Sequence, residues 1–302
     1  MASAIEQARW IQTSVGVRAL DLGLIRVTGE DARVWLNGQV TNDVVGASDG
    51  DTVYALCLSS NGRILSDLHV LVRGDALELL VPRARLEELS AHLDRYIVME
   101  DVDLASRCVT VISAQGPRAS ELLERGSLEG FSADRVGWGG IDLLEADLDA
   151  VVARAEELGG GSVSADGWEL ARLRAGHPAW GVDFGAKTFP QEAGLAHSAV
   201  SFTKGCYVGQ EVVCMLENRG QLRRRLVQLR GPALPEAGAG LTYEGKEVGT
   251  VCSGVLDPED GSAWVHAVVK RIHAEPGVEL EAPSGLVTIR KVLGSRTQDS
   301  AL

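Results

Sequence analysis

Between Gly231 and Gly240 the chain reads Gly-Pro-Ala-Leu-Pro-Glu-Ala-Gly-Ala-Gly, and a stretch so rich in glycine, proline and alanine cannot form a regular element. The hydrophobic pattern differs on its two sides. Up to about residue 222, helical spacing alternates with strand-like runs. Beyond it come only short runs rich in Val and Leu, at 247–252, 262–270, 277–281 and 286–291. Turn signals such as Asp257-Pro258-Glu259-Asp260-Gly261 separate these runs, a spacing that suggests a small barrel or sandwich. The pattern predicts an α+β chain, with a mixed region over 1–222 and an all-β unit over 223–302.

Within the mixed region, Thr28-Gly29-Glu30-Asp31 fits a helix cap, followed by a short helix carrying Val34, Trp35 and Leu36 and stopped near Gly38. Residues 52–58 and 63–72 read as two strands joined by Ser59-Ser60-Asn61-Gly62, where Asn-Gly supplies the positive φ of a tight hairpin. A third run at 76–81 leads through Pro82, a first-turn proline, into a helix with Leu86, Leu89 and Leu93. This order suggests a ferredoxin-like unit inserted at about 45–110. Two further helices are expected, Pro117 to Arg125 closed by Gly126, and Leu148 to Leu158 closed by Gly159-Gly160-Gly161. The glycine triplet follows a helix and lacks the Lys-Ser/Thr ending, so it is not a phosphate loop.

Composition narrows the function classes. With 45% hydrophobic and 24% charged residues the chain is globular, and 302 residues accommodate two or three domains. No apolar run approaches the ~18 residues of a membrane span, and no basic-then-apolar leader opens the chain, so a soluble cytoplasmic protein without a membrane partner is expected. Five scattered cysteines, none in a C-x-x-C pair, suit a reducing compartment. The six histidines show no ligand spacing, so no metal site is expected. A formal charge of −13 would repel a phosphate backbone. The basic run Arg219, Arg223, Arg224 and Arg225 around Gln221 reads as a solvated strand start or an anion-facing rim.

The chemistry concentrates in 166–225. Asp166-Gly167-Trp168 opens a helix with Leu170, Ala171 and Leu173 on an apolar face and a stop at Gly176. The breakers in Gly176-His177-Pro178-Ala179-Trp180-Gly181 make the next stretch a loop. Trp168 and Trp180 offer flat faces to a heteroaromatic ring, or else are core. In Lys204-Gly205-Cys206-Tyr207-Val208-Gly209-Gln210-Glu211, two glycines frame a thiol ahead of a helix that begins at Gln210. A helix N-terminus and a nearby Lys204 both favour thiolate, so Cys206 is either reactive or a buried structural cysteine.

That eight-residue pattern resembles the signature of the YgfZ family of folate-binding proteins. Further matching stretches are Val27 to Asp31, Asn37 to Asp43, Asn61 to Leu68, Gln115-Gly116-Pro117, Trp168 to Pro178, Pro190-Gln191-Glu192 and Glu247 to Thr250. The resemblance implies a three-domain cloverleaf like the glycine-cleavage T-protein, with a central cavity for tetrahydrofolate or a folate derivative. It places the folate-stacking tryptophan at Trp168, and a second family tryptophan at about Leu22, where none stands. Asp67 matches the second acid of the T-protein Asp-Asp-Leu strand, Ser66 replacing the first, and would bind folate or assist transfer. Glu192 would accept N–H bonds from the pterin edge, with Lys204 and Tyr207 beside it. Cys206 would open toward the same cavity.

The implied function is folate-dependent support of iron–sulfur client proteins, tRNA-modifying enzymes among them, without direct nucleic-acid contact. An aminomethyltransferase of the glycine-cleavage type is the alternative, against which stand the Lys-Gly-Cys-Tyr signature and the missing acid at Ser66. A scaffold whose folate pocket has decayed is a third reading, supported by Leu22.

Overall fold

The computed structural model describes residues 2–124, 128–220 and 222–295. Its organising element is β1 (Gly16–Thr28), which pairs antiparallel with β4 (Ala76–Pro82) on one side and with β5 (Asp103–Gln115) on the other. β2 (Thr52–Leu58) and β3 (Ile64–Arg73) extend the sheet past β4, while β6 (Gly130–Ser132) and β7 (Gly140–Leu144) extend it past β5. A short β8 (Gly161–Ser162) pairs parallel with the start of β1. The stretch 45–110 thus supplies β2 to β5 to one sheet that β1 stitches together.

The two faces of this sheet bury different things. On one, Ile25, Val27, Leu68, Val70 and Leu79 pack against α2 (Ala32–Gln39) and α3 (Leu86–Asp94). On the other, α1 (Ala4–Thr13) lies with α6 (Ala165–Ala175), and their contact buries Ala8, Ile11, Leu170 and Ala171. α5 (Leu148–Glu157), capped by Asp147, covers the β5–β7 end.

Residues 224–292 form a closed barrel of β10 (Gly240–Tyr243), β11 (Lys246–Leu256), β12 (Ala263–Lys270), β9 (Arg224–Gly231), β14 (Gly285–Val292) and β13 (Glu279–Ala282), in that order around the wall among the described residues. Alternate residues such as Val227, Leu229, Val265, Ala267 and Ile289 fill its centre. β9 and β10 lie outside the expected runs. β9 opens on the exposed Arg224, just after the exposed Arg223, so the basic run does start a strand; Gln221 and the Arg219 side chain lie outside the described residues.

The expected hairpin is present, with Gly62 at φ +76° in its turn, and α5 and α6 span the helices predicted for them. Three local expectations differ. Thr28 stays in β1, and the N-cap of α2 is Asp31, whose carboxylate instead accepts from the Asp101 N–H at 2.8 Å. Pro82 ends β4 and precedes a 3-10 turn over Arg83–Arg85, so it is not inside the first turn of α3. The helix expected from Pro117 shortens to α4 (Glu121–Glu124), and Arg125 and Gly126 fall outside the described residues.

Candidate functional site

α6 forms where the sequence directs it. The Ser164 side chain accepts from the Gly167 N–H at 3.3 Å, and Gly176 closes the helix in the left-handed region at φ +74°. That reversal folds the chain back along its own helix, so His177, Pro178 and Trp180 reach the surface that Trp168 and Arg172 present one turn apart.

Opposite them lies the α6-facing side of the sheet. The hairpin register pairs Tyr54 with His69 and Leu56 with Asp67, which sets Tyr54, Asp67 and His69 on one face. Between the two layers is a cavity of about 290 Å3, lined by Tyr54, Asp67 and His69, by Leu20 and Leu22 of β1, by Arg135, and by Trp168 and Trp180. Ligand pockets span roughly 300–1,000 Å3, so this one suits a small ring system.

The polar side of the cavity is a graded set of charges. The Tyr54 hydroxyl donates to Asp67 Oδ2 at 3.1 Å, while Asp67 Oδ1 is buried with no partner. Burial lifts the Asp67 carboxyl to about 6, against the opposing effects of the Tyr54 hydrogen bond and of Arg135. Burial also holds His69 well below its ordinary value, with Arg135 and His177 adding to the shift. It lowers His177 to about 4. Both imidazoles are therefore neutral at pH 7.

Each guanidinium on the wall is already committed. Arg135 donates from Nε and NH2 to Asp142 Oδ2 at 2.8 and 2.5 Å. Arg172, 2% exposed, donates to both oxygens of Glu169, to Asp183, to the His177 carbonyl and to Ser253 Oγ at 3.2 Å. Ser253 in turn donates to Asp183 Oδ1 at 2.6 Å, and His266 Nδ1 lies 3.1 Å from Asp183 Oδ2. Because Ser253 sits on β11 and His266 on β12, this buried network ties the cavity wall to the barrel.

Of the residues singled out in the sequence, Trp168 and Asp67 line this cavity together, and Leu22 stands in it as an aliphatic wall. Glu192, Lys204, Cys206 and Tyr207 do not. The signature loop instead sits over the tip of the β2–β3 hairpin. Gly209, at φ +83°, packs so closely there that a Cβ would come within 2.6 Å of the Ser59 carbonyl. Lys204 Nζ is received by the carbonyls of Asn37, Val40 and Asn42, at 2.8 Å for Val40, so its charge is spent on backbone and not on Cys206. Burial lowers that ammonium to about 8.

Tyr207 is buried among Leu56, Leu58, Ile64 and Val213, which fill the same sheet face nearer the turn. Glu192 turns its carboxylate back to accept from the Phe189 N–H at 3.2 Å. Cys206 is exposed, ahead of α7 (Gln210–Arg219). The expectation was that it opens on the cavity of Trp168; Cys206 is not in that cavity's lining, and Tyr207 beside it packs into the sheet face nearer the hairpin turn. Tyr54, Arg135 and Arg172 were missed by sequence reasoning. Only Tyr54 left a usable signal, since the hairpin turn fixes its register against His69.

A β1-centred antiparallel sheet with helices on both faces, a closed six-stranded barrel and an aromatic-walled cavity between sheet and helix define a protein of the glycine-cleavage T-protein fold. Aminomethyltransferase T of the glycine cleavage system from Bartonella henselae superposes with a TM-score of 0.80 over 98% of this chain and 90% of its own, at 20% identity. The GCVT N-terminal domain matches residues 1–170. The tRNA-modifying protein YgfZ of Yersinia pseudotuberculosis is 30% identical over 82% of each chain, and that of Yersinia enterocolitica 27% identical over 92% of each. The chain belongs to the YgfZ family.

Proposed function

We propose that the cavity binds tetrahydrofolate or a folate derivative by its pterin ring, and that the protein uses it to support iron–sulfur client enzymes rather than to cleave glycine. The observation that carries the reading is the unpartnered Asp67 Oδ1 in a wall shared with Trp168 and Trp180. A buried acceptor with no donor costs about 1–3 kcal/mol, and the N–H groups of a pterin edge would relieve it while the indoles stack on the ring. Tyr54 holds the carboxylate in place through its other oxygen. A bound reduced folate supplies a carrier for one-carbon groups.

The name of the Yersinia relatives supports work alongside tRNA-modifying enzymes, as clients rather than through RNA binding by this acidic chain. Cys206, exposed on the loop before α7, is a thiol open to a client, as is the exposed Cys108 on β5. Lys204 and Tyr207 are assigned to holding that loop and Glu192 to capping the turn at Phe189, not to the ligand. Aminomethyl transfer is the second reading, favoured by an Asp67 carboxyl that can exchange a proton near pH 6. Turnover of a lipoyl-carried aminomethyl group by the purified protein would select it.

The test is an anaerobic titration with tetrahydrofolic acid, read by tryptophan fluorescence and by calorimetry. Saturable binding is expected, with the fluorescence response reduced in Trp168→Phe and affinity roughly tenfold weaker in Asp67→Asn, about the worth of one charge-assisted hydrogen bond. No calorimetric binding to the wild-type chain would defeat the proposal.

A further inference from the structure

Three of the four most exposed large hydrophobic side chains among the described residues belong to one surface. They are Val34 on α2, at 73%, and Val98 and Met99 in the segment after α3, at 79% and 93%. That segment is built to hold them outward. The Glu100 carboxylate accepts from the Val98 and Met99 N–H groups at 2.9 and 3.0 Å, while Tyr96 and Ile97 just before them pack on the core. The segment runs along α2. The Tyr96 carbonyl accepts from Trp35 Nε1 at 3.1 Å, and the Asp101 N–H donates to the Asp31 carboxylate at 2.8 Å. Helical spacing puts Val34 on one stripe with Asp31 and Gly38, whereas Arg33 turns away to donate to the Ala47 carbonyl at 2.6 Å.

The same stripe leads to the signature loop. Lys204 Nζ donates to the Asn37 carbonyl, and the Val208 N–H donates to the Gly38 carbonyl at 3.1 Å. Cys206, midway between those two anchors and exposed, is thereby held at the C-terminal end of α2. A Cβ on Gly38 would meet nothing within 4 Å, which leaves the way from Val34 to the loop open. Around the apolar centre stand Glu30, Asp31, Asp94, Glu100 and Asp101, all exposed and none in an ion pair among the described residues. Arg95 is the exposed cation beside them. Arg26 and Arg73, which share a surface hollow with Glu30 and Asp101, are taken up by Glu78.

We propose that this surface docks a protein partner by a segment whose apolar side chains are flanked by Lys and Arg, and so brings that partner beside Cys206. Met99 with the two valines offers an adaptable apolar contact. The unpaired carboxylates steer a basic rim onto it and turn away acidic surfaces. A second copy of this chain would set the same acids face to face, and an anionic lipid surface would meet the same repulsion. Docking here rests on the client reading above and names the place and chemistry of the contact. It does not depend on the folate cavity, whose lining holds none of these residues.

The experiment places the photo-cross-linker p-benzoylphenylalanine at position 34 or 99 of the whole chain in its native host, and maps each adduct by mass spectrometry. Position 286 of the barrel, a leucine 52% exposed, is the control. Positions 34 and 99 are expected to join one partner segment that carries apolar residues flanked by Lys or Arg. Combining Glu30→Lys with Asp94→Lys should cut the adduct yield by about fivefold or more. Val34→Asp with Met99→Asp should lower iron–sulfur enzyme activity in cells, while tetrahydrofolate affinity and melting temperature stay at wild-type values. Adducts to an acidic segment, to nucleic acid, to lipid or to a second copy of this chain would overturn the proposal. So would adducts no stronger than at position 286, or full activity in the Val34→Asp, Met99→Asp variant. If Cys206→Ala still lowers activity in that event, the client reading stands without this surface; if deletion of the whole chain leaves activity unchanged, both fall.

Discussion

Tyr54 donates to Asp67 across 3.1 Å and engages one carboxylate oxygen of the two. The raised carboxyl has a consequence for stability whose sign follows from its direction. Asp67 titrates near 6 in the fold against 3.8 for a free aspartate, so its contribution is fully present below about 3.8 and is lost as pH rises through about 6. The loss is on the order of 3 kcal/mol. Asp67→Asn should therefore gain melting temperature over the wild type as pH is stepped from 4 to 8, and Tyr54→Phe should move the wild-type transition upward, since the lost hydrogen bond had favoured the carboxylate. A constant gap between wild type and Asp67→Asn at all pH values would contradict this assignment.

The Arg172–Asp183 pair is buried on both sides, 2% and 0% exposed at the side chains. Removing one partner of such a pair strands the other charge, which costs roughly 3–5 kcal/mol. Asp183→Asn should lose stability on that scale by denaturant unfolding. Asp183 is held well below the usual carboxylate range by His266, Arg172 and Ser253 against the cost of burial. Its stabilisation is thus present above an ordinary aspartate value and declines as pH falls below it. The deficit of Asp183→Asn should shrink in acid, and a deficit independent of pH would argue for a purely steric effect.

Lys204 satisfies three carbonyls at the end of α2 and the turn beyond it. Lys204→Met keeps the stem and deletes the donors, so a loss of about 2 kcal/mol is expected from orphaned carbonyls. Hydrogen exchange should accelerate at the Val208 amide, which bonds the Gly38 carbonyl in the same seam. Unchanged exchange there would mean that the loop holds without its lysine.

Cys206→Ala removes an exposed side chain, so stability should shift by no more than about 0.5 kcal/mol and tetrahydrofolate affinity should not change. Iron–sulfur enzyme activity in cells carrying the variant is expected to fall. Full activity would end the proposed role of the thiol toward clients.

Local sequence was informative wherever a backbone requirement selects a residue type. Asn61-Gly62 marked the hairpin because its turn needs positive φ, and Ser164 with Gly176 marked both ends of α6. Trp168 was singled out for its flat ring and Asp67 by resemblance, and the two line one cavity. The remainder depends on long-range pairing. Nothing in the pattern of residues 16–28 says that β1 lies between β4 and β5, and nothing around Arg172 says that a mid-helix arginine is buried by Asp183, Ser253 and His266, up to 94 positions away. The place of Cys206 was not legible because only its resemblance to a family signature set it beside Trp168, while the hydrophobic fate of the adjoining Tyr207 is fixed by Leu56 and Leu58.

Every side chain on the cavity surface lies between Leu20 and Trp180, yet Arg172 leans on Ser253 and His266 of the barrel. A fragment ending at residue 222 would keep every side chain of that surface and still present a helix whose inner arginine had lost its two barrel partners. The shape of the cavity wall and the integrity of the barrel are for that reason joined: damage at Ser253 or His266 is felt at Arg172.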